Sequence, residues 1–134
     1  MNVKNFLVAG LAGGIVDFLL GWIFYGMLFM NMFGGPEPTH MEFIALGCLA
    51  FGFLMSYIIV RWAGLDSFTS GMRFGAGYGL IMGIMHNFFD ASMVAGEVNW
   101  QKFAADIAIS IIMGAIVAGV VAAINGSLSR KAAI

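Results

Sequence analysis

Apolar residues along this chain follow one another in long runs instead of alternating with polar ones. The runs cover residues 6–29, 43–62, 74–94 and 103–124. Each is at least about 20 residues long, the length that an α-helix needs to cross about 30 Å of hydrocarbon. A membrane β-strand would instead show about ten residues of alternating pattern. The pattern therefore predicts an all-α, polytopic membrane protein in which four transmembrane helices form a compact bundle.

The composition agrees with this interpretation and limits the function. Of the 134 residues, 61% are hydrophobic and 10% are charged, whereas soluble domains carry about 25% charged residues. The connections between the runs are short, so residues 1–134 are expected to form one domain in the lipid bilayer. The sequence contains no phosphate-binding loop, hydrolase motif or CxxC pair, and we expect neither enzymatic activity nor a cofactor. Its six basic residues give no basic patch for nucleic acid.

The basic residues predict the orientation of the bundle in the membrane. Lys102 falls on one side, and the other five fall on the opposite side, at Lys4, Arg61, Arg73, Arg130 and Lys131. Because basic residues accumulate in cytoplasmic segments, both termini and the middle connection are expected to be cytoplasmic.

Small residues recur at every fourth position in several of the runs. Residues four apart share a face of a helix, so such a strip allows the backbone of another helix to approach closely. The strips are predicted to pack helices either within one chain or between copies in a homo-oligomer or larger membrane complex. The predicted packing residues are Gly10, Gly14, Gly75, Gly79, Gly83 and Gly119.

Asp17 lies near the middle of the first run. A charge at the bilayer centre costs about 3 kcal/mol or more unless it is neutralised or paired. Two interpretations remain open. Asp17 is either a structural carboxyl, hydrogen-bonded to another helix through Asn87 or Ser110, or a site that binds a proton or cation.

The third run contains three further polar residues, His86, Asn87 and Asp90. His86 and Asp90 are four residues apart and therefore lie on one face of a helix. Asp106 is expected at a depth similar to that of Asp90. The two carboxyl groups are therefore expected to approach each other if the third and fourth helices pack antiparallel.

With Asp17, these four residues form a candidate cluster for binding ions or protons. The cluster is a hydrogen-bonded structural network, a site that handles protons or cations, or a metal site. In the last case His40 and Glu42, at the start of the second run, would join His86 and Asp90. No local metal-binding spacing is present.

Three segments also resemble small bacterial membrane proteins with four helices, which are grouped as domains of unknown function. These segments are Gly-Trp-Ile-Phe-Tyr-Gly at residues 21–26, Leu-Gly-Cys-Leu-Ala-Phe-Gly at residues 46–52, and the glycines between residues 75 and 83. The resemblance implies a multi-pass protein of the bacterial inner membrane, and it carries no catalytic residues.

Two classes of function follow from these observations. The first is a small oligomeric transporter or channel in which buried acidic residues handle protons or cations. The alternative is a non-catalytic accessory or scaffold subunit, whose glycine faces dock on other helices of a membrane complex.

Overall fold

The computed structural model describes residues 3–24, 27, 41–93 and 96–133, with side chains as far as residue 130. The described residues include four α-helices and a π-helical segment, Tyr57–Ala63, which continues the second helix. The helices are α1 (Val3–Ile23), α2 (Met41–Ser56), α3 (Phe68–Ser92) and α4 (Trp100–Ala133). The prediction of an all-α protein is confirmed.

The observed helices differ in their bounds from the apolar runs. All four helices begin before the corresponding run, and α4 also continues well beyond residue 124. The runs were delimited by hydropathy, whereas polar residues at the ends of a helix continue its backbone hydrogen bonds. The predicted ends at residues 29 and 94 lie outside the described residues, as does His40.

Three stretches of the described chain are long and apolar enough to cross a membrane. They are Val3–Ile23, Met41–Ala63 and Trp100–Arg130. α3 has 25 residues but is not among them, because its glycines and its polar residues lower its hydropathy. The structure therefore supports membrane helices in three of the four predicted places.

The faces of α1 have the arrangement expected in lipid. The large apolar side chains of Leu11 and Ile15 are 50% and 51% exposed, whereas Gly10, Gly13 and Gly14 are buried. A helix of a water-soluble protein buries its large apolar side chains. In a bilayer those side chains are as stable against the lipid acyl chains as in a protein core, and small residues form the helix contacts.

The helices form two closely packed pairs. α1 packs on α2, α3 packs on α4, and the pairs are joined mainly where α1 also packs on α4. Glycine permits the contact between α1 and α2, because a Cβ atom on Gly52 would overlap the backbone of Gly14. A Cβ atom on Gly10 would overlap the ring of Phe53. The two backbones therefore approach to a distance that larger residues would prevent.

The contact between α3 and α4 also depends on small residues. Gly71, Gly75, Gly79 and Gly83 are the buried residues of α3. A Cβ atom on Gly75 would overlap the carbonyl oxygen of Gly114, and one on Gly79 would overlap the carbonyl oxygen of Ser110. We call these four glycines the glycine face of α3.

The predicted packing glycines thus make their contacts within one chain. This includes Gly119, where an added Cβ atom would lie 2.7 Å from the ring of Phe68. Since these faces are covered by other helices of the same chain, they cannot also dock a second copy. They give no support to the predicted homo-oligomer.

Local hydrogen bonds define where two of the helices begin and where the π-helical segment ends. The hydroxyl oxygen of Ser67 accepts a 3.2 Å hydrogen bond from the N–H of Ser70 and caps α3. The side-chain oxygen of Asn99 similarly accepts a 3.1 Å hydrogen bond from the N–H of Lys102 at the start of α4. Such oxygens satisfy N–H groups that have no partner inside the helix. The π-helical segment ends at Gly64, whose φ of 62° favours glycine.

A cluster of buried polar residues joins the two helix pairs at one end of the bundle. The Asn5 amide donates to the side-chain oxygen of Asn125 at 2.9 Å and to the hydroxyl of Ser129 at 3.0 Å. The Asn125 amide donates to the carbonyl oxygen of Leu65 at 2.9 Å. The Ser56 hydroxyl donates to the backbone of α1 at 2.8 Å. Because buried polar groups are costly when unpaired, this cluster stabilises one arrangement of the helices.

These hydrogen bonds place the first residues of α1, the connection before α3 and the last turns of α4 at the same end. We call it the basic end, because it carries Lys4, Arg61, Arg73 and Arg130. The opposite end, which we call the acidic end, contains the start of α2, the end of α3 and the start of α4. It carries Glu42, Glu97 and Lys102.

Candidate functional site

A cavity of about 430 Å³ lies between the helices and is lined by residues of all four. Its polar lining consists of Asp17 from α1, His86 and Asp90 from α3, and Asp106 and Ser110 from α4. The large apolar side chains of the lining are those of Phe51, Tyr78, Met82 and Met113. The structure therefore brings four of the five predicted ion-binding or proton-binding residues to one cavity.

The spacing of residues on α3 explains which of them reach the cavity. Four cavity residues of α3 follow one another at intervals of four, namely Tyr78, Met82, His86 and Asp90. This spacing places them on one face of the helix. The glycine face lies beside it, and Asn87 follows Gly83 at the same spacing of four. Asn87 therefore continues the packing face and is not among the residues that line the cavity.

The Asn87 amide makes one hydrogen bond to α4 and one within α3. It donates to the Oδ2 atom of Asp106 at 2.6 Å and to the carbonyl oxygen of Gly83 at 2.8 Å. These bonds hold the Asp106 carboxyl group at the edge of the cavity. Because these bonds use the amide hydrogens of Asn87, the amide does not donate to Asp17, the partner that the sequence suggested for it.

Asp17 follows Gly13 and Gly14 by one turn of α1 and is half-buried. Its carboxyl group lies beside the thiol of Cys48 on α2. The sequence did not indicate this partner, since the two residues are far apart in the chain. Ser110, the other partner considered from the sequence, lines the same cavity as Asp17.

The ionisable side chains that line the cavity are mostly acidic. Three carboxyl groups and one imidazole line it, and no Lys or Arg does so within the described part of the chain. Opposite charges attract strongly where water is scarce, and like charges repel. The arrangement therefore favours the uptake of protons or of positively charged ligands.

The geometry gives no support to a metal centre. Among the described residues, no group of three or more His, Cys, Asp or Glu side chains could hold a metal ion. Glu42 is exposed at the start of α2 and does not line the cavity. His40 lies outside the described residues. His86 and Asp90 share the cavity wall without the third ligand that the metal interpretation needs.

Aromatic rings bound the cavity on the side of the basic end. The ring centroids of Phe51 and Tyr78 are 6.0 Å apart, and those of Phe74 and Tyr78 are 6.2 Å apart. Farther toward the basic end, the interior is filled by fully buried side chains such as Met55 and Val117. On the opposite side His86 and Asp90 are exposed. The cavity therefore opens near the acidic end.

Sequence reasoning did not single out Phe51, Tyr78 or Met82 as cavity residues. A signal for two of them was present in α3, because Tyr78 and Met82 precede His86 at intervals of four. Phe51 had no such signal, since its place opposite Tyr78 depends on how α2 packs in the bundle.

Comparison of the chain with protein-family models, with curated proteins and with solved structures found no match. The resemblance to small bacterial membrane proteins stays a prediction from the sequence.

Proposed function

We propose that this protein is a small membrane transporter or channel that binds a proton or cation in the cavity between its helices. The observation that carries the proposal is that Asp17 shares this cavity with His86, Asp90 and Asp106. Carboxyl groups in low-dielectric surroundings are stable only when protonated or paired with a cation. A site of this kind within a bundle of membrane helices is typical of proton and ion pathways.

We further propose that α3 crosses the membrane with the other three helices. At about 1.5 Å per residue, its 25 residues extend about 37 Å, which exceeds the hydrocarbon thickness of about 30 Å. Its low hydropathy is compatible with this position, because the glycine face packs on α4 and the polar residues near its end line the cavity. Polar residues in membrane helices usually face such interiors.

The orientation and location of the protein are proposals of the same kind. The basic end would face the cytoplasm, with both termini on that side. The cavity would then open toward the outer side. The resemblance to bacterial proteins supports the bacterial inner membrane as the location.

The alternative function is a non-catalytic accessory or scaffold subunit. This function needs glycine faces that dock on helices of other proteins. In the structure, helices of the same chain already cover these faces. No described contact favours docking over transport. Assembly into a homo-oligomer is a separate proposal, which the packing glycines do not support.

Reconstitution into liposomes tests the proposed function. Flux of protons or of K⁺ is followed with dyes enclosed in the vesicles, for wild-type protein and for Asp17→Asn. The amide keeps the size of the carboxyl group but can be neither charged nor titrated. We expect the flux to fall by about tenfold or more, the factor that corresponds to losing about 1.4 kcal/mol of interaction.

Asp66→Asn is the matched control, because Asp66 is exposed in the connection before α3 and does not line the cavity. It should leave the flux unchanged. Equal flux in wild-type protein and Asp17→Asn would contradict the proposed role of Asp17.

A further inference from the structure

We propose that the cavity binds an organic cation with an apolar body rather than a bare inorganic ion. This inference rests on the proposed function, because it names the substrate class of the same site. It is drawn from the size of the cavity and from the apolar side chains that line it.

The size of the cavity exceeds what an inorganic ion requires. The volume of the cavity is about 430 Å³. It falls within the range of about 300–1,000 Å³ that is typical of pockets for small molecules. A dehydrated metal cation also needs several converging ligands, and among the described residues no group of three or more His, Cys, Asp or Glu side chains could hold one.

The lining suits a ligand that is charged at one place and apolar elsewhere. Phe51 and Tyr78 present aromatic rings, and Met82 and Met113 present thioethers. Aromatic faces attract organic ammonium groups through their negative electrostatic potential, and methionine adapts to ligands of varied shape. Asp17 lies on the same cavity and supplies the negative charge.

The exposed side of the cavity provides an entrance for such a ligand. Asp90 and His86 are exposed, and Asp106 is half-buried on the neighbouring helix. Carboxyl groups at the mouth of a cleft raise the local concentration of cations and speed their entry. Beyond the aromatic rings the bundle is filled by side chains such as Met55, so the ligand would stop beside Asp17.

Calorimetry on the purified full-length protein tests this proposal with benzyltrimethylammonium as the probe. Its matched control is neopentylbenzene, which has the same shape and no charge. We expect saturable binding of the cation. For the neutral compound we expect no more heat than its partitioning into protein-free micelles produces. Asp17→Asn should weaken binding by about tenfold or more, and Asp66→Asn should not change it.

A second variant tests the aromatic wall separately from the charge. Phe51→Leu keeps an apolar side chain of similar size but removes the ring, and it should weaken binding by about fivefold. The proposal would be overturned if Phe51→Leu and Asp17→Asn both bound the cation with the affinity of the wild-type protein.

The flux assay separates failure of this inference from failure of the proposed function. If Asp17-dependent flux of protons or K⁺ is present but benzyltrimethylammonium neither binds nor inhibits it, the organic-cation site is wrong and the proposed function stands. If benzyltrimethylammonium binds but no cation or proton crosses the membrane, the site is supported and transport is contradicted. If there is neither binding nor flux, both proposals are wrong.

Discussion

Asn87 and Asp106 are joined across α3 and α4 by a 2.6 Å hydrogen bond, which the Asn87 amide donates to the Asp106 carboxyl group. The bond lies at the end of the glycine face, where the two helices are already in close backbone contact. It links the packing of the bundle to the chemistry of the cavity, because Asp106 lines that cavity. Helix packing therefore holds one of the three acidic side chains in place.

This relationship predicts a measurable coupling between Asn87 and Asp106. A double-mutant cycle with Asn87→Ala and Asp106→Ala should give an interaction free energy of about 0.5–2 kcal/mol, the range found for hydrogen bonds between membrane helices. The free energy of unfolding is measured in mixed micelles. Asn87→Ala combined with Asp66→Ala should be additive, since Asp66 lies at the basic end. Additivity in both cycles would mean that the hydrogen bond contributes nothing to stability.

The glycine face predicts opposite effects for two neighbouring substitutions in α3. Gly75→Ala places a methyl group against the carbonyl oxygen of Gly114 and should destabilise the protein by about 1–3 kcal/mol. At Gly77 no other atom lies within 4 Å of an added Cβ atom. Gly77→Ala should therefore be neutral or stabilise the helix by up to about 1 kcal/mol. Thermal unfolding in detergent compares the two variants, and equal midpoints would contradict the observed packing of α3 on α4.

The contact between Cys48 and Asp17 predicts that a thiol reagent will block transport. Cys48 is the single cysteine of the chain, so N-ethylmaleimide can alkylate a thiol at this one place. The bulky adduct should prevent a cation from reaching Asp17 and abolish Asp17-dependent flux. Cys48→Ser is the control, because its hydroxyl can still donate to Asp17 but does not react. Wild-type flux that persists after complete alkylation would contradict the role of Asp17 in transport.

The proposed four spans predict where the connections lie relative to the membrane. In a Cys48→Ala background, cysteines are introduced singly as Asp66→Cys, before α3, and Glu97→Cys, before α4. Both positions are exposed. A membrane-impermeant maleimide should label them from opposite sides of the membrane if α3 crosses it, with Asp66→Cys on the cytoplasmic side. Labelling from the same side would mean that α3 does not span the membrane.

The grouping of the acidic residues could be predicted in part from the sequence. His86 and Asp90 are local neighbours on one helix, and the short connection between α3 and α4 indicated that Asp106 would lie near them. The hydrogen-bond partner of Asn87 could not be predicted in the same way, because it depends on how α4 packs against α3. Asn87 is adjacent to His86 in the chain, but the glycine spacing places it on the packing face, where Asp106 accepts its hydrogen bond.

The polar cluster at the basic end was not predicted at all. Asn5 and Asn125 lie at opposite ends of the chain and resemble ordinary polar residues near helix termini. They become hydrogen-bond partners because α1 packs against α4. In a similar way, Cys48 was indistinguishable from other small apolar residues until the packing of α2 placed its thiol beside Asp17.

The sequence by itself determined that the chain forms apolar helices, which of its residues carry charge inside them, and where small residues allow close approach. These properties are local, since helix length, hydropathy and four-residue spacing depend only on neighbours along the chain. Only the tertiary structure decided that the glycines pack within one chain, and that Asp17, Phe51 and Tyr78 line the cavity of Asp90 and Asp106. The physical reason is that a helix which is apolar on all sides does not reveal which face meets lipid and which meets another helix.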